Sequence, residues 1–273
     1  MGRLTRTGYA LARGCHPEPT VAVTAVATVL AGAVGRGGAG TAAVAAAVLA
    51  GQLSIGWSND WLDAARDTAA GRTDKPTATG DVAPAVLGRA AVVAAACCVP
   101  LSLLSGWLAG TVHLVAVASG WLYNRPLKGT PLSVMPYLVS FALLPAFVVL
   151  GVPAVPPWWL CAAGAALGGG AHFFNTLPDL AADRATGVRG LPHRLGAGPS
   201  WLVGALLLLT ASGLLAYGTR DAWGLAGFAV AAVALAVGAA YGRRPGSRAT
   251  FRTVLVVALV DVALLVLAGA RLT

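Results

Sequence analysis

The chain is poor in charge and poorest in acid. Of its 273 residues 11% are charged, and only ten are Asp or Glu against nineteen Lys or Arg. Soluble domains carry about 25% charged residues; a chain that is 57% hydrophobic does not belong among them. Cysteine is scarce too. Cys15, Cys97, Cys98 and Cys161 lack metal-ligand spacing, and three of them sit in apolar runs, where a small polarizable side chain is ordinary packing. No alternation of period two competes for a strand reading. The basic amino terminus, Met1 to Arg13, precedes an apolar run with no small-residue cleavage site, so no removed leader is expected. The net charge of +9 comes with no nucleic-acid module or dedicated basic arm.

What the chain has instead is apolar length. Runs at about 20–36, 39–57, 84–104, 106–123, 133–152, 157–177, 199–217, 222–241 and 251–270 each approach the roughly 20 residues that a bilayer-spanning helix needs. The expected fold is all-α: a polytopic membrane bundle of about nine helices, forming one domain over 1–273 with residues 1–18 as an amino-terminal segment. Charge placement agrees. Arg3, Arg6 and Arg13 precede the first run, while Arg66, Arg72, Lys75 and Arg89 follow the second and Arg125 and Lys128 the fourth. Arg184, Arg189 and Arg194 follow the sixth, and Arg243, Arg244, Arg248 and Arg252 lie between the eighth and ninth. Only Arg36, Arg220 and Arg271 fall on the other side. The positive-inside rule then puts the amino terminus in the cytoplasm and the carboxy terminus outside.

Against this background the few acids are not scattered. Asn59, Asp63, Asp67 and Gly71 stand at intervals of four, and Asn175, Asp179, Asp183 and Gly187 repeat the series 116 residues later. With Asp60, the two series hold five of the ten acids. Four-residue spacing places each set on one helical face over about three turns, ending where Gly releases the helix. Two carboxylate clusters at one membrane face are what a divalent cation site requires.

The first stripe reads Asn59-Asp60-Trp61-Leu62-Asp63-Ala64-Ala65-Arg66-Asp67, and the second Asn175-Thr176-Leu177-Pro178-Asp179-Leu180-Ala181-Ala182-Asp183-Arg184. This pair resembles the UbiA superfamily of intramembrane prenyltransferases, whose members carry Asn-Asp-x-x-Asp-x-x-x-Asp after the second helix and Asp-x-x-x-Asp after the sixth, in a nine-helix bundle. Tyr123-Asn124-Arg125-Pro126-Leu127-Lys128 is similar to the Tyr and Lys segment of such proteins after helix four. The chain departs from many relatives at Asn175, where they have a third acid.

The resemblance implies a cavity opening near the cytoplasmic face and Mg²⁺-dependent transfer of a prenyl group from an isoprenyl diphosphate to an aromatic acceptor, with diphosphate released. Ionisation of an allylic diphosphate needs its leaving charge stabilised, which bridging Mg²⁺ ions supply. Asp60, Asp63, Asp67, Asp179 and Asp183 are the candidate catalytic metal ligands, with Asn59 and Asn175 as neutral oxygen donors. Arg72, Lys75, Lys128, Arg184 and Arg189 are candidate phosphate clamps. Trp57, Trp61, Tyr123 and Phe173 either shield the allylic cation by their ring faces or anchor the interface. His172, on the face of Asn175 and Asp179, contacts acceptor or phosphate or is a packed histidine; His113 and Gly164 to Gly170 read as packing, and Asp261 is expected to face the bundle. Two other functions fit the same residues: a membrane terpene cyclase on the same donor, and a transporter of cations or phosphorylated solutes.

Overall fold

The computed structural model describes residues 3–241 and 249–269, and among these there is no strand. Arg243, Arg244, Arg248 and Arg271 of the charge count lie outside the described residues, as do both ends of the expected 1–273 domain. In chain order the helices are α1 (Arg3–Gly14), α2 (Pro17–Ala33), α3 (Gly37–Ala69), α4 (Pro84–Leu103), α5 (Trp107–Asn124), α6 (Met135–Val149), α7 (Trp158–Thr176), α8 (Leu180–Ala185), α9 (Leu191–Leu195), α10 (Ala197–Thr219), α11 (Ala222–Tyr241) and α12 (Ala249–Gly269). Proline opens several of them, in the first turn of α2, α4, α6 and α9, where its missing N–H costs nothing.

Each of the nine apolar runs falls on one long helix, α2–α7 and α10–α12. Among the described residues α3, α4, α10 and the 222–240 part of α11 are long and apolar enough to cross a membrane; shorter apolar helices lie within α2, α6 and α12. Successive helices pack as neighbours, and α12 returns against α2 to close the bundle. Two glycines of α7 set its closest approach. A Cβ at Gly164 would lie 2.2 Å from the Phe141 carbonyl oxygen, and one at Gly168 would lie 2.5 Å from that of Tyr137, so α6 and α7 touch backbone to backbone.

The two ends of the bundle differ. Leu30, Val44, Phe147, Leu160, Leu215 and Leu264 form one buried apolar cluster, and in the up-and-down course of the chain all of them lie toward the same end. The same end carries the exposed Trp107, Trp158 and Trp223, placed as an interfacial aromatic belt would be. This plug leaves the opposite end, where α3, α5 and α7 finish and α6 begins, for polar groups. Between the ends Asp261 is fully buried and accepts a 2.6 Å hydrogen bond from Ser212 Oγ, facing the bundle as expected. His113 is buried too, with Nδ1 2.8 Å from Ser102 Oγ and its ring stacked on Phe147.

Candidate active site

The polar end is built first by α3, which does not stop where its apolar run stops. It continues to Ala69 as one 33-residue helix, about 50 Å at 1.5 Å per residue, so its last turns project past a hydrocarbon core of about 30 Å. Asp60, Asp63 and Asp67 therefore share one helical face, and the helix ends at Gly71, whose φ of +64° favours glycine.

The second series departs from the expected continuous stripe. Pro178 cannot donate to the carbonyl four residues back and its ring crowds that turn, so α7 ends at Thr176. A 3₁₀ turn spans Leu177–Asp179, and α8 begins at Leu180. Asn175, Asp179 and Asp183 thus sit on three successive pieces. Asn175 and Asp179 are exposed and Asp183 is half-buried, whereas the three acids of α3 are buried.

The two series converge. Arg72, in the loop after α3, lies within electrostatic reach of both Asp67 and Asp179; Tyr123, at the end of α5, lies within reach of both Asp63 and Asp183. Arg72 itself is held by Asp74 through two 2.8 Å hydrogen bonds. That pairing draws the Asp74 carboxyl down to about 2 and raises the guanidinium pKa, to which the charges of Asp179 and Asp67 add.

Individual carboxylates are engaged differently. Asp63 Oδ2 accepts from Lys128 Nζ at 2.5 Å and from Arg66 Nη2 at 2.6 Å. Asp67 Oδ1 lies 3.8 Å from the Arg66 guanidinium, and its Oδ2 is buried with no hydrogen-bond partner among the described residues. Asp60 has no exposed surface; its Oδ1 accepts from Lys75 Nζ at 2.6 Å and lies 2.9 Å from His16 Nε2, and its Oδ2 is buried with no hydrogen-bond partner among the described residues. Lys75 is thereby tied to Asp60 rather than held free. Asn59 Nδ2 donates to Asn124 Oδ1 at 3.1 Å, and Asn124 Nδ2 donates to Ile55 O and Ser58 Oγ. Asp183 Oδ2 lies 3.2 Å from His193 Nε2. Arg184 donates to the His193 carbonyl, and Arg184, Arg189, His193 and Arg194 line an opening of about 380 Å³.

His172 is buried one turn below Asn175, its Nε2 3.1 Å from Ser133 Oγ and its ring packed on Tyr123 and Tyr137. Tyr137 meets the Tyr123 ring edge-on at 5.0 Å between centroids. Of the aromatics, Trp57 donates from Nε1 to Leu11 O and Trp61 packs on Gly88, so both brace neighbouring helices. Sequence reasoning did not find His16, Asn124, Ser133, Tyr137 or His193 as members of this end. Asn124 lies inside the Tyr123–Lys128 segment and was within reach of a helical-register argument; the others come from distant positions without periodicity.

Among the described residues no three His, Cys, Asp or Glu side chains lie close enough to hold a metal ion alone. The donors fit Mg²⁺ in another way. Hard oxygen ligands surround the mouth, Asp67 Oδ2 lacks a partner, and Mg²⁺ completes its shell from water and phosphate rather than from an all-protein cage.

The fold and this acidic mouth define a multi-pass helical membrane protein with carboxylates from two parts of the chain gathered at one end. The family model of the UbiA prenyltransferase family matches residues 5–260, and the chain belongs to that family. No curated protein sequence matches it. Among solved structures, one concerning digeranylgeranylglyceryl phosphate synthase in membranes is 14% identical and covers 100% of both chains, with a TM-score of 0.73. An apo UbiA homolog from Aeropyrum pernix K1 is 21% identical over 93% of this chain and 96% of its own, with a TM-score of 0.68. A UbiA homolog from Archaeoglobus fulgidus bound to DMAPP and Mg²⁺ is 14% identical over 96% of this chain and 99% of its own, with a TM-score of 0.72. At these identities the likeness is one of fold.

Proposed function

We propose that the protein transfers a prenyl group from an isoprenyl diphosphate to an aromatic acceptor, with Mg²⁺ as cofactor and diphosphate as the leaving group. The observation that carries this reading is the gathering of the two acid series at one end of the bundle, where Arg72 lies within electrostatic reach of Asp67 and Asp179 and Tyr123 within reach of Asp63 and Asp183. A transporter would place its polar groups near the midplane, and these acids gather at one end. The archaeal homolog bound to DMAPP and Mg²⁺ supports the same choice of donor and metal.

Asp63, Asp67, Asp179 and Asp183 would hold the metal, with Asn59 and Asn175 as neutral donors, and the bound ion supplies charge stabilisation to the departing diphosphate. The remaining work falls to the chain. Lys128 and Arg72 exchange their carboxylate partners for phosphate oxygens, and Arg184 and Arg189 face the same anion from the other side. The C1–O bond of the donor breaks, and the allylic cation forms beside the rings of Tyr123 and Tyr137, whose faces favour positive charge. The apolar helix walls take the isoprenoid tail and exclude water, the acceptor carbon bonds to C1, and the proton of that carbon passes to the released diphosphate. Asp60 serves as a strut joining Lys75 and His16 rather than as a ligand.

The proposed setting is a single 1–273 domain of nine spans, whose mouth and amino terminus face the cytoplasm. Purified protein incubated with dimethylallyl, geranyl, farnesyl and geranylgeranyl diphosphates, with and without phenolic acceptors, tests the reading. Mg²⁺-dependent diphosphate release coupled to a prenylated acceptor is expected. A cyclic hydrocarbon or alcohol formed without acceptor would identify a cyclase instead, and no diphosphate release from any donor would refute both.

A further inference from the structure

We infer that His193 and Ser133 are positioning residues that fix the second acid series against the first, an inference that rests on the metal-bridged reading above. Asp183 sits on the six-residue α8, too short a helix to fix a carboxylate by itself. Its Oδ2 meets His193 Nε2 at 3.2 Å. A carboxylate only accepts, so Nε2 carries the proton and donates, taking one oxygen and leaving Oδ1 for other contacts. The His193 side chain is 4% exposed, and α9 beneath it is pinned from three directions. Leu191 N–H donates to Ser133 Oγ at 2.9 Å, Ser200 Oγ donates to Pro192 O at 3.0 Å, and Arg184 donates to His193 O.

Ser133 completes the link. Its hydroxyl receives Leu191 N–H, so its own proton is available to His172 Nε2 at 3.1 Å, and the residue has no exposed surface. It belongs to the segment between α5 and α6 that also carries Lys128, the partner of Asp63 at 2.5 Å. Gly190 is pressed onto that segment: a Cβ there would stand 2.7 Å from Lys128 O and 2.9 Å from Ser133 Oγ. A connected path therefore runs from Asp63 through Lys128 and Ser133 to Leu191, His193 and Asp183. The spacing of the two carboxylates is set by this packed loop contact as well as by the membrane helices. Groups that orient metal ligands in this way change metal affinity by about 10- to 100-fold when removed.

The test uses the purified full chain with Mn²⁺ as a spectroscopic substitute for Mg²⁺ and geranyl S-thiolodiphosphate as a donor analogue that resists ionisation. Bound Mn²⁺ is read by electron paramagnetic resonance. His193→Leu should raise the apparent Mn²⁺ dissociation constant in the presence of the analogue about tenfold or more. His193→Gln, whose Nε2 can still donate to Asp183, should recover most of that affinity. Ser133→Ala, which removes one hydroxyl, should weaken Mn²⁺ by severalfold while the thermal midpoint stays near the parent's. Parent Mn²⁺ affinity in His193→Leu, or no rescue by Gln, would reduce His193 to packing. If His193→Leu does not fold, Ser133→Ala decides, and parent affinity there overturns the inference. A parent protein that binds no Mn²⁺ with the analogue instead refutes the functional reading.

Discussion

Replacing Lys128 by Met separates a phosphate ligand from a structural strut. Lys128 Nζ lies 2.5 Å from Asp63 Oδ2, an oxygen that also accepts from Arg66 Nη2 at 2.6 Å. Because Arg66 remains, Asp63 is not left as an uncompensated buried charge, and the roughly 3–5 kcal/mol of that case does not apply. The pair is largely buried, at 18% exposure for Lys128 and 12% for Asp63, but Arg66 still donates to the same oxygen. The loss is therefore that of one net hydrogen bond, about 1 kcal/mol; Met keeps most of the apolar stem. A change of that size lowers the thermal midpoint of a chain this long by about 2–4 °C. The effect on donor is larger. A hydrogen bond to a charged group contributes about 1.5–3 kcal/mol, and Lys128 forms it by giving up Asp63, which offsets about 1 kcal/mol. The net, at 1.4 kcal/mol per tenfold, is a rise of about tenfold in donor KM with the acceptor KM within about twofold. Steady-state rates against geranyl diphosphate at saturating Mg²⁺, with melting followed in detergent, read both numbers. An unchanged donor KM with a midpoint lowered by more than about 10 °C would show that Lys128 braces the fold and does not touch the diphosphate.

Asp63→Ala and Asp179→Ala should each lower turnover by about 100-fold or more with folded protein retained, as should EDTA until Mg²⁺ is restored; full activity in excess EDTA removes the metal from the mechanism. Asp60→Asn should do the reverse, lowering the midpoint by several degrees because it strands Lys75 beside His16 while leaving the Mg²⁺ half-saturation unchanged; a shifted half-saturation at an unchanged midpoint would return Asp60 to the ligands. The Asp74 carboxyl, held at about 2 by Arg72, has a folded pKa below the unfolded value of about 3.9, so the pair's contribution is complete above about pH 4 and is lost as pH falls through about 2. Hydrogen exchange in the 70–83 loop, corrected for intrinsic rates, should therefore be flat from pH 8 to 5, and opening within that range contradicts the assignment. Thr73→Cys and Ala185→Cys, both at exposed positions, should react with a charged thiol reagent from the cytoplasmic side only; labelling from opposite sides would separate the two acid series and end the shared-site reading.

The sequence carried most of the architecture because a membrane helix announces itself by composition, and each apolar run became one helix. It carried the acids because a repeat at a spacing of four survives inspection without any partner. It could not carry their pairing. Charge and loop position point Lys75 at phosphate, while in the structure its Nζ lies on Asp60 Oδ1, the oxygen that His16 also reaches across 44 residues. The break at Pro178 was visible as a residue but was overridden by the spacing argument, which assumed one helix where the proline imposes three pieces. His193 lacked any signal. Its contact with Asp183 depends on α9 folding back onto α8, and no periodicity encodes a return of that kind.

On the proposed function, that return lets two unequal acid series serve one anion. The α3 series is buried, rigidly helical and already matched by Arg66, Lys75 and Lys128, whereas the second is more exposed, broken at a proline and paired through Asp183 with His193, beside an open space lined also by three arginines. On the proposed reading, donor entry is an exchange of partners on the α3 side, where Lys128 leaving Asp63 finds a phosphate oxygen and frees a ligand for the metal. On the other side it is a capture, since Arg184 and Arg189 are exposed and gain charge contacts as water leaves. An exchange keeps the charge balance of a low-dielectric wall nearly constant and avoids the cost of an unpaired buried ion. A capture adds attraction that weakens with salt. Added salt should therefore weaken donor binding more in the parent than in an Arg184→Gln, Arg189→Gln double variant, while the Lys128→Met variant keeps the parent's salt slope; equal slopes in all three would remove the distinction between the two walls.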